Sequence, residues 1–210
     1  MNLIDFFANA YKETSLFVIS LEMIAFIFGI ASVYYAKKEN ILVYPTGLVA
    51  TCITVFLLYR AGYFGDMVVN FYYSVMSIYG WYIWSRPTVN NSVLPISRTN
   101  KREKIIGLML FIVTIVVIFV IYRIFAQAIE VENYIDVFTS GVFFTAMYFM
   151  ALKKIENWTL WIVADIISIP LYAYRGLGIL SLQFLIFTIM AVQAYIEWKK
   201  TLDMPKMATK

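Results

Sequence analysis

NFYYSVMSIYGWYIW, residues Asn70–Trp84, is the stretch on which the reading of this chain turns. Wound as a helix at about 100° per residue, Asn70, Tyr73, Ser77, Gly80, Trp81 and Trp84 fall within an arc of roughly 100°. One stripe therefore carries an amide, a phenol, a hydroxyl, a glycine and two indoles, while the opposite face is Val, Met and Ile. In a water-soluble protein such a stripe would face solvent. This chain has almost no helix that could be solvated, so the stripe is expected to line a substrate path through a membrane.

The composition sets that expectation. The 210 residues are 62% hydrophobic and 14% charged, with a mean hydropathy of +0.76. Ordinary soluble domains are about 45–50% apolar and about 25% charged. The excess is gathered into runs of about 17–22 residues, the length that crosses a bilayer. No charged leader followed by a short apolar core and a small-residue cleavage site is present, so the first long apolar run is expected to act as a signal anchor. The chain has no histidine, which removes histidine-based triads, histidine general bases and most catalytic zinc sites. Its one cysteine, Cys52, sits in an apolar run and reads as core. No cofactor and no nucleic-acid partner is expected.

Outward from the opening stretch, the chain reads as seven spans: about Ser15–Ala36, Ile41–Tyr59, Gly62–Trp84, Ile105–Tyr122, Val137–Leu152, Trp158–Tyr174 and Gly176–Trp198. Residues 85–104 read as a polar, basic linker and residues 123–136, with Asp136, as a loop. Lysine and arginine divide 13 to 4 between the two sides of this layout, together the 17 in the chain. The basic side is expected to be cytoplasmic, with the N-terminus outside and the C-terminus inside.

Two parts of the chain echo each other. Lys37–Asn40 precedes the second span as Lys153–Asn157 precedes the sixth, and Gly80–Trp84 ends one helix as Ala194–Trp198 ends another. The offset is 117 at the first landmark and 114 at the last. Two units of three helices are implied, about 15–84 and about 137–198. A fourth span, about 105–122, lies between them and makes the copies parallel. The whole is expected to be a single transmembrane domain, residues 1–210.

A charge at membrane depth costs at least about 2.5–3.5 kcal/mol, so each one needs a reason. Asp165 lies midway along the sixth span and shares an arc of roughly 80° with Trp158, Trp161, Ser168 and Tyr172. Facing the Asn70 stripe, it would complete a slot of flat π faces with a carboxylate and the amides of Asn70 and Gln183. Such a slot suits a flat aromatic cation. Each residue also has a plainer reading. Trp84, Trp158 and Trp198 stand near span ends, where aromatic belts are common, and Asn70 or Asp165 could join helices. Glu22 lies only two turns from the outer end and could snorkel. Gly62, Gly80, Gly176 and Gly178 read as close-packing or helix-start positions, and Pro45 and Pro170 do not occupy equivalent places.

Asn70-x-x-Tyr73-x6-Gly80-Trp81-x-x-Trp84 resembles the signature of the PnuC family of vitamin transporters. Ile78–Tyr82 and Ile155–Trp161 also resemble family segments, and the similarity covers about residues 15–198. The resemblance implies seven helices in a 3+1+3 arrangement, a full-length relative of the SWEET sugar-transporter plan. It implies facilitated diffusion of nicotinamide riboside, a precursor of NAD, into the cell, with a cytoplasmic kinase trapping the product by phosphorylation. It carries Asn70, Tyr73, Trp81 and Trp84 over as substrate-binding residues. Trp158, Trp161, Asp165, Tyr172 and Gln183 join them mainly from the face argument. The second copy departs from the signature at Phe184, Ala194 and Tyr195, which suits an asymmetric ligand. A homo-oligomer is compatible with the sequence.

Rival readings separate on chemistry. Thiamine is also a flat cation, and its aminopyrimidine would pair with Asp165. A retinal-type receptor needs a lysine inside the bundle, and the seventh span has none between Gly176 and Trp198. An intramembrane protease needs a second aspartate beside Asp165. No Gly-x4-Gly-Lys-Ser/Thr loop is present to bind ATP phosphates.

Overall fold

Among the described residues the apolar runs fold as seven helices: α1 (Leu16–Lys37), α2 (Val43–Ala61), α3 (Phe64–Ser85), α4 (Lys101–Phe125), α5 (Val131–Ala151), α6 (Glu156–Tyr174) and α7 (Gly178–Asp203). They are seen in a computed structural model that describes residues 15–61, 64–86, 94–125, 131–174 and 178–204. Gly62 and Gly176 lie outside the described residues.

Local chemistry sets the ends. Ser15 caps α1, its Oγ accepting from Val18 N. Asn100 and Glu103 form a reciprocal capping box: Glu103 N donates to Asn100 Oδ1 at 2.9 Å and Asn100 N donates to Glu103 Oε2 at 2.8 Å. That box starts α4 a turn earlier than its apolar run suggests. The larger departure is α5. Residues expected to form a loop up to Asp136 are helical from Val131, and Asp136 is buried. Its carboxylate accepts from Tyr122 Oη of α4 at 3.1 Å, a partner that no local sequence pattern reveals.

Five of the seven helices, α1, α2, α4, α5 and α7, are long and apolar enough to cross a membrane. The two not among them are α3 and α6, the helices that carry Asn70 and Asp165.

In sequence order, α1 packs on α2 and α2 on α3; α5 packs on α6 and α6 on α7. Two further seams, α3 against α5 and α1 against α7, close these six helices into a ring. Helix α4 lies along α5, and its Leu108, Ile112, Val116 and Val120 are exposed, as suits a lipid-facing flank. Thr145 Oγ1 of α5 donates to Gly107 O of α4, where the missing side chain lets the helices approach.

The turn after α1 and the turn after α5 share one hydrogen-bond pattern. Lys38 N to Tyr34 O, Glu39 N to Ala36 O and Asn40 N to Tyr35 O recur as Leu152 N to Tyr148 O, Lys153 N to Met150 O and Lys154 N to Phe149 O. Each partner is shifted by 114 residues, as from Glu39 to Lys153. Glu39 (φ 53°) and Lys153 (φ 54°) are both left-handed, which makes each turn a Schellman motif. Trp84 Nε1 donates to Ala151 O at 3.2 Å, and Trp198 Nε1 donates to Lys37 O at 3.2 Å, again 114 apart at both ends. The sequence pairing of Asn40 with Asn157, at 117, is therefore out of step by three residues with the turns themselves.

Candidate functional site

On α6 the buried residues are Asn157, Trp158, Ala164, Asp165, Ser168 and Leu171. The carboxylate-bearing stripe thus turns inward, and Val163 and Ile166 turn outward. On α3, Ser74, Met76, Ser77, Gly80 and Trp84 are buried, while Phe71, Val75 and Ile78 are exposed. Met76, read as part of the apolar outer face, belongs to the core.

The two inward stripes meet through rings. Tyr73 of α3 lies 5.9 Å from Trp161 of α6, centroid to centroid. Trp161 lies 5.4 Å from Phe143 of α5, and Phe143 lies 6.0 Å from Phe184 of α7. Phe184 stacks on Tyr172 at 5.1 Å with only 16° between planes. On the other side, Phe144 stacks on Tyr72 at 3.8 Å, and Tyr72 Oη donates to Phe144 O at 3.0 Å. A ladder of aromatic faces thus runs from α3 across α5 and α6 to α7.

Two polar groups stand in this ladder. The indole Nε1 of Trp161 is buried and has no hydrogen-bond acceptor. Asp165, one turn further along α6, is 2% exposed, and none of the ion pairs among the described residues includes it. Every lysine and arginine among the described residues lies near a helix end or in a loop. Among the described residues, the centre therefore holds an acid and π faces without a compensating cation. Asn70 and Gln183 are half-buried on α3 and α7, near Tyr73 and Phe184 in sequence. Glu22 is half-buried on α1. No group of His, Cys, Asp and Glu among the described residues could hold a metal ion.

Three of the expected binding residues are elsewhere. Trp81 is 41% exposed on the outer surface of α3, whereas Trp84, three residues on, is buried. Trp84 and Trp158 belong to a second cluster at the basic end of the bundle. There Tyr44 meets Trp84 edge-on at 5.1 Å, Trp158 meets Trp198 edge-on at 5.4 Å, and Trp84 lies 6.5 Å from Trp198. Trp84 and Trp158 act here as packing, and the Nε1 of Trp84 is committed to Ala151 O. Conversely, Phe143 and Phe144 of α5, which join the ladder, are not among the residues the sequence analysis singles out. Two adjacent aromatics point about 100° apart on a helix, so both cannot face lipid squarely, and that is the one signal the sequence held.

Residues 19–200 match the nicotinamide mononucleotide transporter family. The chain belongs to that family. It is a family of membrane transporters, not of enzymes. Among its relatives, the nicotinamide riboside transporter PnuC of Escherichia coli (strain K12) is 25% identical over 201 residues, covering 85% of this chain and 84% of that protein. The protein of the same name from Neisseria mucosa is 25% identical over 196 residues, covering 86% of this chain and 72% of its own. In fold, the chain resembles the crystal structure of the vitamin B3 transporter PnuC, with a TM-score of 0.67 at 22% identity, over 87% of this chain and 81% of that one. With its apolar helices, this family member is a multi-pass membrane protein.

Proposed function

We propose that this chain carries nicotinamide riboside across the cytoplasmic membrane by facilitated diffusion, opening its path to each side in turn. The observation that carries the reading is the Tyr73–Trp161–Phe143–Phe184 ladder with Asp165 buried beside it. A pyridinium cation stacks on Trp161 and Tyr73, gains the attraction of their π faces, and brings a positive charge toward an acid that lacks one. The unpaired Nε1 of Trp161 supplies a donor for a ribose or carboxamide oxygen. Asn70, Tyr172 and Gln183 complete the polar edge. The family's name specifies a mononucleotide, yet a phosphate at this depth would meet Asp165 and, among the described residues, no lysine or arginine. That favours the nucleoside, which is also what the relatives' names specify.

We infer further that α1–α3 and α5–α7 are parallel copies joined by α4, within one transmembrane domain. The recurrence of turns and tryptophan bonds at a spacing of 114 supports this, as does the ring in which α3 meets α5 as α7 meets α1. The basic end is the cytoplasmic one, with the N-terminus outside. A cytoplasmic kinase acting on the product would keep the inward gradient.

The test is calorimetric titration of the purified protein with nicotinamide riboside, thiamine and riboflavin. Nicotinamide riboside should bind and the other two should not. Trp161→Ala and Asn70→Ala should weaken binding about tenfold, the worth of one stacked or hydrogen-bonded contact, in folded protein. Binding of thiamine alone would replace the substrate. Unchanged binding by both variants would remove the site.

A further inference from the structure

The basic end of the bundle is closed by something more than tryptophans. Lys153, in the turn between α5 and α6, is 1% exposed. Its ammonium has three donors. One lies 3.0 Å from Glu39 Oε2, in the turn between α1 and α2. Another donates to Leu94 O, in the segment leading to α4, at 2.9 Å. The nitrogen also stands 4.5 Å over the ring of Trp84, at the end of α3. One charge therefore ties together four separate segments, two from each side of the α3–α5 seam.

The backbone makes the choice of residues informative. Glu39 and Lys153 occupy the left-handed position that ends a Schellman motif, where glycine is the default because a Cβ is disfavoured. The chain keeps a charged side chain at both, and the two side chains bond to each other. They stand at the matching place in the two turns, 114 residues apart. Local stability alone would select glycine.

Three polar atoms are buried here without partners: Oη of Tyr44, which packs on Trp84; Nε1 of Trp158, which packs on Trp198; and Oδ1 of its neighbour Asn157. Burial of such groups is unfavourable, and opening this end to water would satisfy them. A closed state lined with unpaired polar atoms requires a compensating contact. Glu39 is 31% exposed, so water reaches the pair and can help part it.

We propose that the Glu39–Lys153 pair, seated on Trp84, is the latch that holds the basic end of the transport path shut. The proposal rests on the transport reading above. Parting the carboxylate from the ammonium frees the α1–α2 turn from the α5–α6 turn, and the aromatic plug then separates between Trp84 and Trp198. The neighbouring pair of Lys37 with Glu197 is more exposed and is not part of the latch.

A reporter cysteine at Ala191, 2% exposed on α7 above the plug, reads the opening in a Cys52→Ser background. A membrane-impermeant maleimide is applied to vesicles of both orientations. The side from which trypsin removes the lysine-bearing C-terminus is the basic side. Glu39→Gln, which keeps shape without charge, and Glu39→Gly, which also relieves the left-handed backbone, should each raise the labelling rate at least fivefold from the basic side only. Lys37→Gln should leave the rate at the parent value. Unchanged labelling in both Glu39 variants, an equal rise from both sides, or the same rise in Lys37→Gln would each overturn the latch. Thermal melting of Glu39→Gly at or above the parent temperature shows that the rise is not unfolding. Titration of the parent with nicotinamide riboside separates the two readings. Failure to bind would remove the transported substrate, while the labelling ratio still reports on the latch.

Discussion

Replacing Trp84 by Phe tests whether the tryptophans at the basic end are structural bonds or spare belt residues. Trp84 is 5% exposed and gives its Nε1 to Ala151 O at 3.2 Å, across the α3–α5 seam. Phe keeps a ring but leaves a buried helix-end carbonyl without its donor, a loss of about 1 kcal/mol, and bonds between membrane helices average about 0.6. The smaller ring leaves a void of roughly 35 Å³, which at about 24 cal/mol per Å³ adds about 0.8 kcal/mol. The total of about 2 kcal/mol corresponds to a fall in Tm of about 4–8 °C for a chain of this size. Trp81→Phe is the internal control. It lies three residues away in the same motif but is 41% exposed, and should cost no more than about 0.5 kcal/mol. Both variants, purified in one detergent, are heated in steps and the folded fraction is read by size-exclusion chromatography, which does not depend on tryptophan emission. If Trp84→Phe melts within about 1 °C of the parent, or if Trp81→Phe falls as far, the seam is not held in this way.

Three further outcomes follow from contacts already described. Gly80→Ala should cost about 1–3 kcal/mol, because its new Cβ would collide with the buried ring of Tyr44, and a second change, Tyr44→Leu, should recover part of the loss in the same melting assay. Tyr122→Phe and Asp136→Asn should show a coupling of about 0.5–1.5 kcal/mol in a double-mutant cycle, since the bond between them fixes α4 to α5. Trp161→Phe keeps the ring between Tyr73 and Phe143 but removes an Nε1 that bonds nothing in the protein. It should melt like the parent yet bind nicotinamide riboside about fivefold more weakly by calorimetry, the worth of one neutral hydrogen bond.

How much of this was legible in the sequence depends on the distance over which each signal acts. The seven helices were legible because apolar length is a local property, and their ends were set by local caps such as Ser15 and Asn100. The inward direction of Asp165 was legible because a helix has a fixed period and Asp165, Ser168 and Trp158 share one side. Asp136 was misread as part of a loop because its partner, Tyr122, lies on another helix. The tryptophans were the hardest to assign. Trp81 and Trp84 differ by less than one helical turn, and both satisfy the same motif. Only the approach of α5 to α3 decides that one packs against Ala151 while the other is left outside. The spacing of the two turns was misjudged by three residues for a related reason: like charges were aligned with like charges. The structure matches Glu39 with Lys153, residues of opposite sign, because they share a backbone conformation rather than a side chain.

That match also bears on how the proposed repeat would hold one ligand. At a spacing of 114, the backbone turns and the tryptophan bonds correspond, but the residues of the ladder do not. Trp161 falls opposite Gly47, Asp165 opposite Thr51 and Asn70 opposite Phe184. The indole, the acid and the amide are each present once. Ser32 fills the place beside Gly47, and Thr51 Oγ1 accepts from Ser74 Oγ, so the α2 side is closed by small polar side chains where the α6 side presents a ring and a charge. On the reading proposed above, a flat cation stacked on Trp161 would have its charged end drawn to one wall only. On the repeat proposed above, the seams between α1–α3 and α5–α7 are where the two units would move against each other. Recognition of a ligand without a twofold axis requires that the side chains between them be unequal, and the inequality here falls at Trp161, Asp165 and Asn70 while the turns at Glu39 and Lys153 remain alike in shape.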